Sequence, residues 1–249
     1  MDHPTVVKSS ELARARAKLY GLLAKVYVEP PDLEFLGLLE EWVVLQMAAR
    51  DSLQSLPDQI GRGLVKLDNF FGNRTGSNGW KGSVNDTPLD NASLPEAISI
   101  EFTRLFRGVS PHYSPLPPYE SVYLDEENQA FGELSVGVQR EYRRFGLDLT
   151  SKLPGEPPDH LSFELEFLHI LCTREAEAWE NSDEVKAHTF LLAERQFLRT
   201  HLVNWVPKLG EKIREFDRLG IFAGIADITE GWLAFDYEEN LQGVELPLE

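Results

Sequence analysis

A single cysteine, Cys172, rules out an internal disulfide, and its setting in Leu168-His169-Ile170-Leu171-Cys172 predicts a buried thiol. Long apolar runs are missing as well. No segment approaches the length that spans a bilayer, and Met1-Asp2-His3-Pro4 has no basic stretch leading into an apolar core. A cytoplasmic chain without stable membrane insertion is expected. Basic residues are scarce: 24 Lys and Arg stand against 41 Asp and Glu, for a net charge of -17. Such a chain repels nucleic acid and anionic lipid on average and attracts cationic peptides. Gly-x-Ser-x-Gly, Gly-x-x-x-x-Gly-Lys-[Ser/Thr] and Gly-x-Gly-x-x-Gly do not occur, so nothing points to a hydrolase nucleophile or a nucleotide loop. No catalytic residue and no cofactor are expected.

Helical periodicity is what the sequence does contain. After Ser9-Ser10, apolar residues recur at Leu12, Leu19, Leu22, Leu23, Val26 and Tyr27, and Pro30-Pro31 end that helix. Asp32 is placed to cap a second helix, and a third runs from about Pro57 to Phe71. From Gly72 to Ser93 the chain turns to Gly, Asn, Ser, Asp and Thr without periodicity, which predicts a long surface loop. A fourth helix spans about Leu94 to Arg107. Pro111, Pro115, Pro117 and Pro118 then forbid helix through a connector whose Tyr113, Tyr119 and Tyr123 imply packing against the body. Helices resume over about Gln129–Arg144, Asp159–Glu180, Asp183–Val203, Trp205–Phe216 and Gly220–Asn240. With no strand signal, the expected fold class is all-α, a compact bundle of about nine to eleven helices. Residues 1–249 are expected to form a single domain, with lobes 1–125 and 126–249.

The richest stretch is Pro157-Pro158-Asp159-His160-Leu161-Ser162-Phe163-Glu164-Leu165-Glu166-Phe167. Two prolines stiffen the entry to a helix, and Asp159 is placed to cap its first turn. At helical spacing His160, Glu164, Phe167, Leu171 and Ala178 share one stripe, while Glu166, His169, Thr173, Arg174 and Glu177 share a wetter one. A carboxylate on the apolar stripe, with a solvated face available, calls for a specific partner.

Metal binding is one reading. Glu166-Phe167-Leu168-His169 has the Glu-x-x-His form of di-iron bundles, but no other histidine has a glutamate three residues before it. A metal-dependent helical enzyme using His160, Glu164, Glu166 and His169 is therefore the alternative function, without an evident third ligand for a zinc pair at His160 and Glu164. Aromatic, proline and carboxylate residues on irregular backbone beside a helix start suit a second reading, the grasp of a peptide.

Four motifs carry a resemblance: Tyr20-x-x-Leu23-x-x-x-Tyr27-x-x-Pro30-Pro31; Glu101-x-x-x-Leu105-Phe106-x-Gly108 followed by Pro117-Pro118-Tyr119-Glu120-Ser121-Val122-Tyr123; Pro158-Asp159-His160-x-x-x-Glu164-Leu165-Glu166-Phe167; and Phe197-x-x-x-His201-Leu202-x-x-Trp205. In this order and spacing they resemble the TorD/DmsD/NarJ family of molybdoenzyme chaperones, most closely its TorD/DmsD branch. The Gly72–Ser93 segment departs as an insertion, and Leu168 stands where the family often has methionine. The resemblance implies a TorD-like helical chaperone, not an enzyme. It would bind the twin-arginine signal peptide and the apo-subunit of a molybdopterin oxidoreductase, assist cofactor insertion and proofread before export. Working as a monomer or homodimer, it would contact the peptide through Tyr119, Glu120, Ser121, Asp159, His160 and Glu164.

Overall fold

The structure, a computed structural model, describes residues 3–49, 57–75, 79–80, 83–84, 87–88, 93–107, 114–124, 132–149 and 155–241. Among these, ten α-helices run in the order α1 (His3–Val28), α2 (Leu33–Ala48), α3 (Asp58–Gly72), α4 (Leu94–Phe106), α5 (Glu120–Leu124), α6 (Glu133–Arg144), α7 (Leu161–Glu180), α8 (Glu184–Thr200), α9 (Leu202–Phe216) and α10 (Ile221–Phe235). A single π-helical turn, Asp236–Asn240, follows. The all-α expectation holds.

Local signals placed several ends correctly. Asp32 Oδ1 accepts from Phe35 N at 2.8 Å and starts α2. Two boundaries differ from the expectation. α1 begins at His3 and carries Ser9 and Ser10 inside it, so neither hydroxyl marks the start of the helix. The proline connector, expected to exclude helix as far as Tyr123, turns into α5 at Glu120, one residue beyond the extended Tyr119. Proline blocks helix at the residue before it and loses one donor, but it does not stop a helix from starting downstream. The expected loop contains two two-residue antiparallel ladders, Arg74–Thr75 (β1) with Gly79–Trp80 (β2) and Ser83–Val84 (β3) with Thr87–Pro88 (β4). Gly72 ends α3, Asn73 caps it and Ser93 precedes α4, while residues 76–78, 81–82, 85–86 and 89–92, with Gly108, Pro111, Tyr113 and Gln129, lie outside the described residues.

The chain folds into two compact units, each discontinuous in sequence: Met1–Val28 with Pro118–Trp205 and Asp236–Glu249, and Glu29–Pro117 with Val206–Phe235. In the second unit α3 lies against α10 and α2 against α3. Gly63 permits the closest approach, since a Cβ there would sit 2.6 Å from the Gly224 carbonyl oxygen. Asp227 of α10 is ion-paired to Lys66 at 2.5 Å and Arg214 at 3.0 Å.

In the first unit α7 is the central helix, with α1 and α8 packed on it. Its Leu161, Leu165, Leu168 and Leu171 are fully buried, and Phe167 meets Phe197 edge-on at 4.8 Å between ring centres. Within this core sits one cation. Arg16, 1% exposed, reaches Glu175 at 2.9 Å, Glu194 at 2.7 Å and Asp236 at 2.7 Å. Tyr20 donates to Asp236 at 2.6 Å, and Trp179 Nε1 to Glu175 at 2.8 Å. Glu194 is the least satisfied member, because neither of its oxygens accepts an aligned hydrogen bond. Burial pushes its carboxyl up to about 8, and Arg16 only partly opposes that shift.

Three outcomes follow from this packing. Gly63→Ala forces a methyl against backbone and lowers stability by about 1–3 kcal/mol in urea titration. Arg16→Met strands three buried carboxylates and costs about 3–5 kcal/mol by the same measurement. Because the folded Glu194 keeps its proton above its ordinary value of 4.5, the native state binds more protons than the unfolded chain from there to about pH 8. Stability therefore declines as pH rises through that window and levels above it. Glu194→Gln should flatten that slope in melting curves recorded across the window.

Candidate functional site

Two proline-led segments of the first unit are joined by backbone. Glu120 N donates to the Asp159 carbonyl at 3.0 Å, Leu161 N donates to the Pro118 carbonyl at 2.9 Å, and Tyr119 and His160 form an antiparallel bridge. The extended conformation that proline imposes on its neighbours makes both segments available for this pairing. Each then starts a helix, α5 on one side and α7 on the other.

The side chains follow from that pairing. Asp159 is fully buried, and its Oδ2 accepts from Ser121 N at 2.8 Å. It thus serves the first turn of α5, in place of the expected cap on α7. The α7 cap is His160, whose Nδ1 accepts from Ser162 N at 3.1 Å, so that its ring proton sits on Nε2. The Tyr119 ring lies 5.6 Å from that of His160, and Tyr119 donates to Glu156. One turn further along α7, Glu164 Oε2 accepts from Trp205 Nε1 at 3.2 Å. Glu120 Oε2 lies 2.8 Å from His201 Nδ1.

All six residues singled out from the sequence belong to this one assembly. Glu120, Ser121, Asp159, His160 and Glu164 are buried, whereas Tyr119 is half-buried. Burial raises the Glu164 carboxyl well above the usual range, and the neighbouring Glu120 and Asp159 charges raise it further. Trp205 offsets only part of that shift. Glu164 thus lies beside two other carboxyls, both of which favour its protonated form. Four buried oxygens receive no donor from outside the group among the described residues, Glu120 Oε1, Ser121 Oγ, Asp159 Oδ1 and Glu164 Oε1, while the Glu164 and Glu120 carboxyls are close enough to share a proton. A group rich in donors is the chemical complement of such a set.

Four further residues complete the assembly without having been singled out as site residues. His201 and Trp205 sit in the last of the motifs, four residues apart, but a helical apolar pattern does not disclose that their ring nitrogens face carboxylates. Tyr142 donates to the Pro158 carbonyl at 2.9 Å and holds the second proline segment in place. Its phenol is pushed well above the ordinary value by burial, with Glu164 adding to the shift. Glu156 carried no sequence signal beyond its place before the prolines. Tyr123 stacks on Trp205 at 5.6 Å, the anchoring role expected for it.

The four residues of the metal alternative do not converge. His160 Nδ1 is committed to Ser162, His169 Nδ1 lies 2.8 Å from the Ala17 carbonyl, and Glu166 is exposed while Glu164 is buried. Among the described residues, the set of His, Cys, Asp and Glu side chains close enough to share an ion is instead Cys172, Glu175 and Glu194. There Arg16 already supplies the positive charge. No described helix is long and apolar enough to cross a membrane.

Residues 53–211 match the family described as nitrate reductase delta subunit. A chaperone protein TorD of Vibrio parahaemolyticus is 27% identical over 139 residues, 56% of this chain and 62% of that protein. The perchlorate reductase assembly chaperone protein of Dechloromonas aromatica is 28% identical over 144 residues, 57% of this chain and 62% of the relative. The chain thus spans less than two thirds of the length of these curated relatives. A crystal structure from Archaeoglobus fulgidus, assigned to redox enzyme maturation, aligns at a TM-score of 0.45 and 22% identity over 88% of this chain and 93% of that one. Since the family match extends over more than half of the sequence, the protein belongs to the nitrate reductase delta subunit family, that of the TorD/NarJ-type redox enzyme maturation chaperones.

Proposed function

We propose that this protein is a cytoplasmic maturation chaperone that binds the twin-arginine signal peptide and apo-subunit of a molybdopterin oxidoreductase, assists cofactor insertion and proofreads before export. Family membership supports the chaperone class, and the relatives named for TorD and for perchlorate reductase assembly support a molybdoenzyme subunit as client. The observation that carries the peptide reading is the set of four buried oxygens around the paired proline segments that receive no donor from outside the group. A guanidinium offers five donors in a planar fork and bonds carboxylates in pairs, whereas a lysine ammonium is a compact point charge. Asp159 and Glu120 then supply the charge and Glu164 a polar wall, with Tyr119 and Glu156 the members that an arriving peptide meets first. Asp159, His160 and Ser121 also hold α5 against the start of α7, so the same groups position the site and line it. The net charge of -17 favours encounter with a basic leader and makes that encounter weaken with salt.

Binding, on this proposal, needs no bond-making and no metal. Calorimetry with a synthetic twin-arginine leader peptide and its twin-lysine counterpart tests it. The arginine form should bind roughly 5- to 150-fold more tightly, the difference expected when a bidentate contact of about 1–3 kcal/mol is lost. Equal affinity for the two peptides overturns the assignment. Tyr119→Ala should weaken the arginine peptide while leaving the helical circular dichroism unchanged. Asp159→Ala removes the acceptor of the buried Ser121 amide and should also cost about 1–3 kcal/mol of stability.

A further inference from the structure

Helix α2 of the second unit carries apolar residues on nearly all sides, a pattern that ordinarily marks a buried helix. Only one side of it is covered. Phe35, Leu36, Leu39 and Val43 are buried, while Leu38, Val44 and Leu45 are 56%, 56% and 60% exposed. At about 100° per residue, Leu38 and Leu45 form one exposed row and Leu33 and Val44 another. Between the rows run Glu34 and Glu41, both exposed, and the helix has no lysine or arginine. Beside it, α2 and α3 border a groove of about 490 Å³ with Val43, Val44 and Phe71 as apolar lining and Glu40 and Asp68 as charged lining.

Charge decides what such a face accepts. A second copy of this chain, related by a two-fold axis, would lay the Glu34 and Glu41 row on itself, within a molecule already at -17. Nucleic acid and anionic membrane are repelled for the same reason. An amphipathic helix with an apolar stripe and lysine or arginine along it fits both the rows and the charge between them. We infer that the outer face of α2, with the α2/α3 groove, is a docking surface for a basic amphipathic helix of a partner protein. It shares no residue with the paired proline segments, and its occupation does not depend on the arginine-binding proposal.

The test uses the full chain and a synthetic amphipathic helix of leucine and lysine at helical spacing, with a leucine–glutamate helix as the control, followed by fluorescence anisotropy. The leucine–lysine probe should bind and the control should not. Leu38→Ser combined with Leu45→Ser should weaken the probe at least roughly tenfold. Val185→Ser, at a position 81% exposed on α8, should leave binding unchanged. Glu34→Lys combined with Glu41→Lys should transfer the preference to the leucine–glutamate helix, an outcome that general stickiness does not produce. Failure of the natural chain to bind the probe, undiminished binding by the double-serine variant, or unchanged preference after charge reversal overturns the inference. So does a concentration-dependent dimer, seen by sedimentation, that the double-serine variant abolishes, since a second copy would then be the occupant. Because both serine substitutions fall on exposed side chains, the thermal melt should match that of the natural chain.

Discussion

Two backbone hydrogen bonds, Glu120 N to the Asp159 carbonyl and Leu161 N to the Pro118 carbonyl, are the constraint on which the candidate site depends. They place a five-residue helix and a twenty-residue helix in a fixed mutual register. Every other contact in the assembly presupposes that register, including the Asp159 carboxylate on the Ser121 amide and the Tyr119 ring beside His160. Proline suits both strands of the pairing because its fixed φ reduces the conformational freedom lost on ordering and holds the preceding residue extended. The donors that proline lacks are not missed, since the amides used belong to Glu120 and Leu161.

Burial makes the chemistry of the site unlike that of a surface patch. Three carboxyls brought together out of water repel one another when ionised, and burial together with the Glu120 and Asp159 charges raises the Glu164 carboxyl well above its usual range. His201 and Trp205 contribute from the opposite end of the sequence motif series, one to Glu120 and one to Glu164. The first unit contains a second buried polar centre around Arg16, solved differently: one guanidinium shared among three carboxylates, with Tyr20 and Trp179 donating to two of them. One centre has a buried cation among its carboxyl groups, whereas the other has none among its described residues, and each retains oxygens without a hydrogen-bond donor.

Much of this was legible in the sequence, and the illegible part has a physical cause. Helical periodicity and proline punctuation located the helices, because burial of one face leaves a repeating mark on the chain. The anomalous glutamate on the apolar stripe of α7 correctly marked Glu164 as needing a partner. What periodicity cannot carry is a pairing between segments far apart in sequence. Asp159 after two prolines has the local signature of a cap on α7, yet its carboxylate goes to an amide 38 residues earlier. The short α5 escaped for a related reason, as five residues give too little period to detect. Arg16 gave no sign of burial, since a lone arginine on a helix is ordinarily solvated. Its three partners come from α7, α8 and the π-helical turn.

That π-helical turn has a consequence for the order in which the protein can be made. Asp236 meets Arg16 across 220 residues of chain, and Tyr20 depends on the same carboxylate. During synthesis at roughly 5–20 residues per second, the first helix waits about ten to forty seconds for the group that completes its cation's coordination. The second unit, lying between Glu29 and Phe235, is fully translated before then. Until then the Arg16 guanidinium has only Glu175 and Glu194 of its three native partners, and the last of them, Asp236, is added directly after the final residue of the second unit.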